Sequence, residues 1–211
     1  MLTAIIDYSS GNLHSARKAF EKISASNNLG SVVVTSNPDV ISSADRLVLP
    51  GDGAFPACKT ELLSSEAYDA MVYAAVEKGR PFLGICVGMQ LMAIRGYEYE
   101  ETDGLGWIDG EVCKIDPTDD NLKIPHMGWN TLNIENEHPV LKGILNGDHV
   151  YFVHSFQMVV SNRKQRLAYT DYGTDITAVV GNENLLGFQF HPEKSAKTGL
   201  KMIENFLSWS P

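Results

Sequence analysis

Cys86 stands where a nucleophile would. It closes the apolar run Phe82–Ile85 and lies between two glycines, in Gly84-Ile85-Cys86-Val87-Gly88. An apolar run of that length reads as a buried strand. Met89, Leu91, Met92 and Ile94 can continue the chain as a helix. A strand turning sharply into a helix around such a residue is a nucleophile elbow, here with sulfur in place of oxygen. The turn leaves little room for Cβ atoms, which is a reason for glycines beside it. The positive end of the following helix would face the sulfur and favour thiolate.

A cysteine nucleophile needs a base, and the base needs a group that orients it. Of six histidines, His191 is placed for this work. It directly follows the run Leu185–Phe190, at a strand end, where parallel α/β sheets hold their ligands. It begins His191-Pro192-Glu193. In extended chain, residues i and i+2 point the same way, and a proline favours extension of the residue before it. Glu193 then reaches one ring nitrogen of His191 while the other faces Cys86. The result is Cys-His-Glu as nucleophile, base and orienter. Acyl transfer also needs donors for a tetrahedral oxyanion. The Val87 N–H, next after the nucleophile, is one candidate. The segment Pro50-Gly51-Asp52-Gly53 is the other, since its glycines let a backbone N–H approach or reorient.

The elements that would position these groups alternate. Residues 2–7, Ser31–Thr35, Arg46–Leu49 and the elbow strand read as strands. Between them, Leu13, Ala16, Phe20 and Ile23 share one helical face, a short helix can follow Pro38, and Tyr68, Met71, Val72, Ala75 and Val76 form an amphipathic stripe ended by Gly79. This β-α-β order predicts an α/β fold with a flavodoxin-like, doubly wound and mostly parallel sheet. After a glycine-rich loop, Gly104–Gly110, the pattern changes to short β runs: Glu111–Ile115, Thr131–Ile134, His149–Val153, Phe156–Val160, Leu167–Thr170, Ile176–Val180 and Leu185–Phe190. They read as added antiparallel strands, the last two joined by a hairpin turn at Asn182-Glu183-Asn184. Leu200, Ile203, Phe206 and Leu207 give a final helix with Ser195 as its N-cap. No repeat or linker divides the chain, so residues 1–211 read as one domain.

Composition narrows the function classes. The chain has 211 residues, 44% of them apolar, enough for a sizeable core. A net charge of −9 with no cluster of basic residues argues against a nucleic-acid or anionic-membrane surface. The stretch Met1–Asp7 lacks a basic n-region and reads as a strand, and the cysteine usage makes a reducing cytoplasm the expected location. The three cysteines, Cys58, Cys86 and Cys113, lie far apart and form neither a disulfide framework nor a zinc motif. Cys58 and Cys113 read as core residues.

The stretches Gly84–Gln90 and Phe190–Ser195 together resemble the triad (class I) glutamine amidotransferases. Three more narrow the likeness: Asp7-Tyr8-Ser9-Ser10-Gly11-Asn12-Leu13, Ile124-Pro125-His126-Met127-Gly128-Trp129-Asn130, and Tyr151-Phe152-Val153-His154-Ser155-Phe156. These are similar to the glutaminase-subunit family of imidazole glycerol phosphate synthases, over most of the chain. The resemblance implies that Cys86 attacks a glutamine side-chain amide, with His191 and Glu193 completing the triad. It implies an oxyanion site at Asp52, Gly53 and Val87. It implies glutamine held by Gly51, Gln90 and the His154-Ser155-Phe156 backbone. The ammonia would pass to a (β/α)₈-barrel cyclase subunit in a heterodimer, within histidine biosynthesis. Met127, Trp129, Asn130, Tyr151 and Lys194 are the candidate contacts with that partner, the first three expected in a loop. No metal or organic cofactor is implied. The chain departs from the family at three places: Asp52 stands where Val is usual, Phe156 where Tyr is common, and Ser9-Ser10 where a glycine follows Tyr. A carboxylate at 52 must point away from a developing negative charge. Three rivals remain at this point: the glutaminase of another synthase, such as the pyridoxal phosphate one; a cysteine hydrolase or peptidase; and a catalytically silent regulatory subunit.

Overall fold

The computed structural model describes residues 1–119 and 121–211. In chain order the first half runs β1 (Leu2–Ile6), α1 (Leu13–Asn27), β2 (Ser31–Thr35), α2 (Pro38–Ser43), β3 (Arg46–Gly51), α3 (Phe55–Ser64), α4 (Ala67–Val72), β4 (Phe82–Cys86) and α5 (Val87–Gln90). The second half runs β5 (Arg95–Gly96), β6 (Thr102–Asp103), β7 (Gly110–Lys114), β8 (His126–Thr131), β9 (Asn133–Ile134), β10 (His149–His154), β11 (Phe156–Val160), β12 (Arg166–Asp171), β13 (Asp175–Asn182), β14 (Leu185–Phe188) and α6 (Ala196–Ser208).

The main sheet has the order β2-β1-β3-β4-β14-β13-β12-β9. Its first five strands pair in parallel. The remaining three add antiparallel pairings. β3 and β4 are buried at every residue, as expected for parallel strands covered on both faces. α1 packs on α6 through an edge-on contact of Phe20 with Phe206, while α2 and α3 both pack on α4. The expected mostly parallel α/β sheet is therefore present. The short β runs do two things. β12, β13 and β14 extend the main sheet, whereas β8 with β10, and β11, β7, β5 and β6, form two smaller sheets.

Five local expectations are corrected. The helix after the elbow is one turn long. The Leu91, Met92 and Ala93 carbonyls that would continue it accept instead from Leu105, Trp107 and Gly106 N–H groups of the glycine-rich loop. The dipole argument for the sulfur therefore loses its long helix. α3 is an additional helix, with Phe55, Cys58, Lys59 and Leu62 buried at helical spacing. After α4 the chain continues as a π turn over Tyr73–Glu77. The wider turn carries Val76 to the surface while Ala74 and Ala75 stay buried. Cys113 is half-buried rather than core. Ser195 stands at the N-cap position of α6, as expected, but its side chain makes no capping bond; its hydroxyl is used at the site described next.

Candidate active site

β3, β4 and β14 lie side by side, and the chain leaves each of them at the same end. Gly51 at the end of β3 is the register partner of Cys86 at the end of β4. Cys86 has φ 54° and ψ −113°, a left-handed conformation that costs energy in a non-glycine residue and clusters at functional sites. Close approach of backbones enforces the glycines around it. A Cβ on Gly88 would lie 1.9 Å from the Leu49 carbonyl oxygen, and one on Gly51 would lie 2.6 Å from the Gly88 nitrogen. Gly51 thus lets β3 approach the elbow and does not itself line the pocket.

Beyond β14 the chain carries Gln189, His191 and Glu193 toward the elbow. His191 Nδ1 lies 2.9 Å from Glu193 Oε1, with both side chains buried. Extension of the chain does not explain this reach, because Pro192–Lys194 is a 3₁₀ turn. The turn is held by Ser195, fully buried, whose hydroxyl donates to the His191 carbonyl at 2.6 Å and accepts the Tyr151 N–H at 2.9 Å. The His191 N–H also donates to the Tyr151 carbonyl. β10 therefore fixes the base. Burial by itself would lower the His191 pKa. Cys86 and Glu193, both beside the ring, raise it more, and the net value is raised to about 10. Such a ring holds its proton beside the sulfur.

Cys86, Val87, Gln90, Asp52, Gly53, Glu98 and residues 153–156 enclose a cavity of about 80 Å³. A wider groove of about 700 Å³ lies along residues 134–144 and is lined by none of the triad residues. Within the small cavity, Gln90 Nε2 donates to the Phe156 carbonyl at 3.0 Å and to Gln189 Oε1 at 3.1 Å. Gln189 Nε2 in turn lies 3.8 Å from Cys86 Sγ. Asp52 is exposed and, among the described residues, makes no ion pair. Its carbonyl accepts the Ser10 hydroxyl at 2.9 Å and its N–H lies 3.5 Å from the same oxygen. In this state the Asp52 backbone is therefore turned to Ser10.

Gln189 and Glu98 lie outside the motifs that pointed to the site, and Ser195, the last residue of the Phe190–Ser195 stretch, was read as a helix cap. Gln189 had a usable signal, since it lies two residues before His191 in extended chain and shares its side. Glu98 had none: it sits in the acidic run Glu98-Tyr99-Glu100-Glu101, which reads as surface. It is held by accepting the Phe55 N–H at 2.8 Å, at the start of α3.

The candidate partner residues are brought together, but not in a loop. Met127, Trp129 and Asn130 belong to β8, which pairs antiparallel with β10 so that Trp129 is opposite Tyr151. Alternation along the strand exposes Met127 (60%) and Trp129 (52%). Lys194 is exposed nearby in sequence to the triad glutamate, and Tyr151 is half-buried. The Asn130 side chain is turned to internal hydrogen bonds.

The sequence matches the family description "Glutamine amidotransferase class-I" over residues 4–209, and the chain belongs to that family. It is a glutamine amidotransferase. Its relatives within the family are imidazole glycerol phosphate synthase subunits HisH: it is 62% identical to the one from Ruegeria pomeroyi and 56% identical to the one from Cereibacter sphaeroides, each over the full length of both chains. Solved structures agree on the fold. A glutamine amidotransferase from Thermotoga maritima superposes with a TM-score of 0.62 at 17% identity, covering 97% of this chain and 81% of that one. Another structure described as a glutamine amidotransferase gives 0.69 at 18% identity, with 96% and 98% covered.

Proposed function

We propose that this chain hydrolyses glutamine to glutamate and ammonia for a cyclase subunit, as the glutaminase of an imidazole glycerol phosphate synthase. The observation that carries the chemistry is the strained Cys86 elbow beside the buried His191–Glu193 pair. The Cys86 thiolate attacks the side-chain amide carbon and a C–S bond forms. His191 gives its proton to the departing nitrogen, the C–N bond breaks, and ammonia leaves a glutamyl thioester. His191, now neutral, takes a proton from water. The resulting attack breaks the C–S bond and releases glutamate. Glu193 keeps the Nδ1–H of His191 directed at itself and supports the imidazolium.

The Val87 N–H is the standing oxyanion donor in this scheme, and the Asp52–Gly53 segment supplies another once it turns from Ser10. Gln90 and the 154–156 backbone hold the substrate, and the Glu98 carboxylate suits its α-ammonium group. The protein works with a (β/α)₈-barrel cyclase in a heterodimer that meets Met127, Trp129, Tyr151 and Lys194. Exposed aromatic anchors of this kind suit a protein interface. Full-length identity to the HisH subunits supports that partner, and with it histidine biosynthesis in the cytoplasm. No helix among the described residues is long and apolar enough to cross a membrane.

The test is ammonia release from glutamine, with and without the cyclase carrying its nucleotide ligand. The isolated chain should turn over slowly and the complex much faster. Cys86→Ser should abolish glutamine-dependent synthesis in the complex and leave synthesis from added ammonia intact. Equal rates with and without cyclase would leave a free-standing glutaminase. Activity in the Ser variant would remove Cys86 from the mechanism.

A further inference from the structure

Two buried histidines outside the proposed triad form a row. His126 opens β8 and His154 closes β10, and they are register partners across that pair. His126 Nδ1 lies 3.0 Å from His154 Nε2. At one end of the row, His154 Nδ1 lies 2.8 Å from the Phe156 carbonyl. At the other, Asn130 Nδ2 lies 3.2 Å from His126 Nε2.

The ends decide the direction of every bond. A carbonyl only accepts, so His154 Nδ1 carries hydrogen. The Asn130 amide is oriented by its own backbone neighbours: its oxygen accepts the Thr131 N–H at 2.8 Å, and its nitrogen donates to the Asp171 carbonyl at 2.9 Å. Its NH₂ group therefore faces His126, whose Nε2 must be bare. Between the rings, His126 Nδ1–H donates to His154 Nε2. All three bonds are made only when both rings are neutral and both carry hydrogen on Nδ1. Reversing either ring sets hydrogen against hydrogen or lone pair against lone pair. The surroundings favour neutral rings. His126 is stacked between Phe152 at 4.7 Å and Tyr172 at 4.0 Å. Burial lowers the His126 pKa to about 4 and that of His154 to about 3.

The row ends on the Phe156 carbonyl, which also accepts from Gln90. Both of its acceptor positions are thereby used, and the strand reversal 154–156 is held from two sides. The other end lies on β8, whose opposite face carries the exposed Met127 and Trp129. We infer that His126 and Asn130 are positioning residues that set the Ser155–Phe156 backbone for glutamine and link it to the Trp129 face. This rests on the reading of residues 154–156 as the glutamine-holding segment.

Two measurements test it. Histidine ring ¹⁵N shifts of the full chain at neutral pH should show His126 and His154 neutral and hydrogenated on Nδ1. His126→Phe retains the stacking ring and cuts the row. In the cyclase complex it should raise the glutamine KM about tenfold, the size expected for losing one buried hydrogen-bonded link. Its kcat should change less than threefold, and synthesis from added ammonia should be unaffected. Asn130→Asp, which puts an acceptor against His126 Nε2, should raise KM likewise and move the His126 hydrogen to Nε2. An active wild-type complex with Nε2-hydrogenated rings, or an unchanged KM in both folded variants, would overturn the row. A wild-type complex that releases no ammonia from glutamine would overturn the functional reading instead, while the ring tautomers would still report on the row.

Discussion

His191 and the His126–His154 pair put the same side chain to opposite uses within one small region. His191 is buried between a carboxylate and a thiol, and its pKa is raised to about 10. His154 is also buried, but it faces a carbonyl and another imidazole, and its pKa is lowered to about 3. Burial acts in the same direction on both, against the charged form. The difference comes from the partners. Where an anion is within hydrogen-bonding reach, the ring holds its proton and can serve as an acid. Where only neutral dipoles surround it, the ring stays neutral and serves as a fixed link. The proximity of His191 itself adds to the lowering at His154, so the proton held at one ring helps exclude it from the other.

Removing the charged partner or the ring at the first site should have the largest effect. His191→Asn should lower glutamine turnover by about 10²–10⁴-fold, the usual value of a positioned acid–base group. Glu193→Gln retains an acceptor for the Nδ1–H but no charge, and should cost less, about 10- to 10²-fold. Single-turnover kinetics with the complex would rank the two. A nearly silent His191→Asn beside a severe Glu193→Gln would reverse the roles given to them.

The Trp129 face comes next. Trp129→Ala should weaken cyclase association about tenfold, as for an interface anchor, with thermal stability unchanged. Titration calorimetry would read it, and an unchanged Kd would move the interface away from β8.

The contrast also predicts an acid limb of stability. For His126 and His154 the folded pKa lies below the ordinary 6.5. Below pH 6.5 the unfolded chain takes up protons that the folded chain refuses, so stability falls as pH drops toward 4. Each ring contributes a slope approaching about 1.4 kcal/mol per pH unit. His191 has the reverse sign: its contribution is full below 6.5 and is lost as pH rises toward 10. Urea midpoints between pH 7 and 4 should be less steep in His126→Phe than in wild type. Identical slopes would mean that the rings are not held neutral.

The smallest effect is expected at Asp52. It is exposed and, among the described residues, makes no ion pair, while its backbone is contacted by Ser10 and, at 3.7 Å from its carbonyl, by Cys58 Sγ. Asp52→Val should change turnover by less than about threefold, in either direction. Loss of an oxyanion donor costs about 10²–10³-fold, so a loss of that size would give the carboxylate a positive role in the site.

The sequence by itself determined the parts that are local. Gly-x-Cys-x-Gly after an apolar run signals the elbow, because a Cβ on Gly84 would lie 2.5 Å from the Gly88 carbonyl oxygen four residues on, although the space at Gly88 itself is set by Leu49 of β3. The alternation of strands and helices over the first hundred residues led to the parallel sheet for the same reason, since periodicity is a property of the segment. His191 and Glu193 were legible as a pair because two residues in sequence cannot lie far apart, although the turn joining them was misread as extended chain. Tertiary structure decided the rest. Whether Leu91–Ile94 continued as helix depended on a loop fourteen residues on claiming its carbonyls. Ser195 looked like a helix cap, but the free Tyr151 N–H and the His191 carbonyl reached its hydroxyl first. Glu98 lines the cavity that Cys86 lines, its carboxylate held by the N–H at the start of α3. The His126–His154 row exists because β8 and β10 pair in one register, and no property of either segment alone specifies that register. A hydrogen bond between distant residues is a fact about two surfaces meeting, so it enters the account only when the chain has folded.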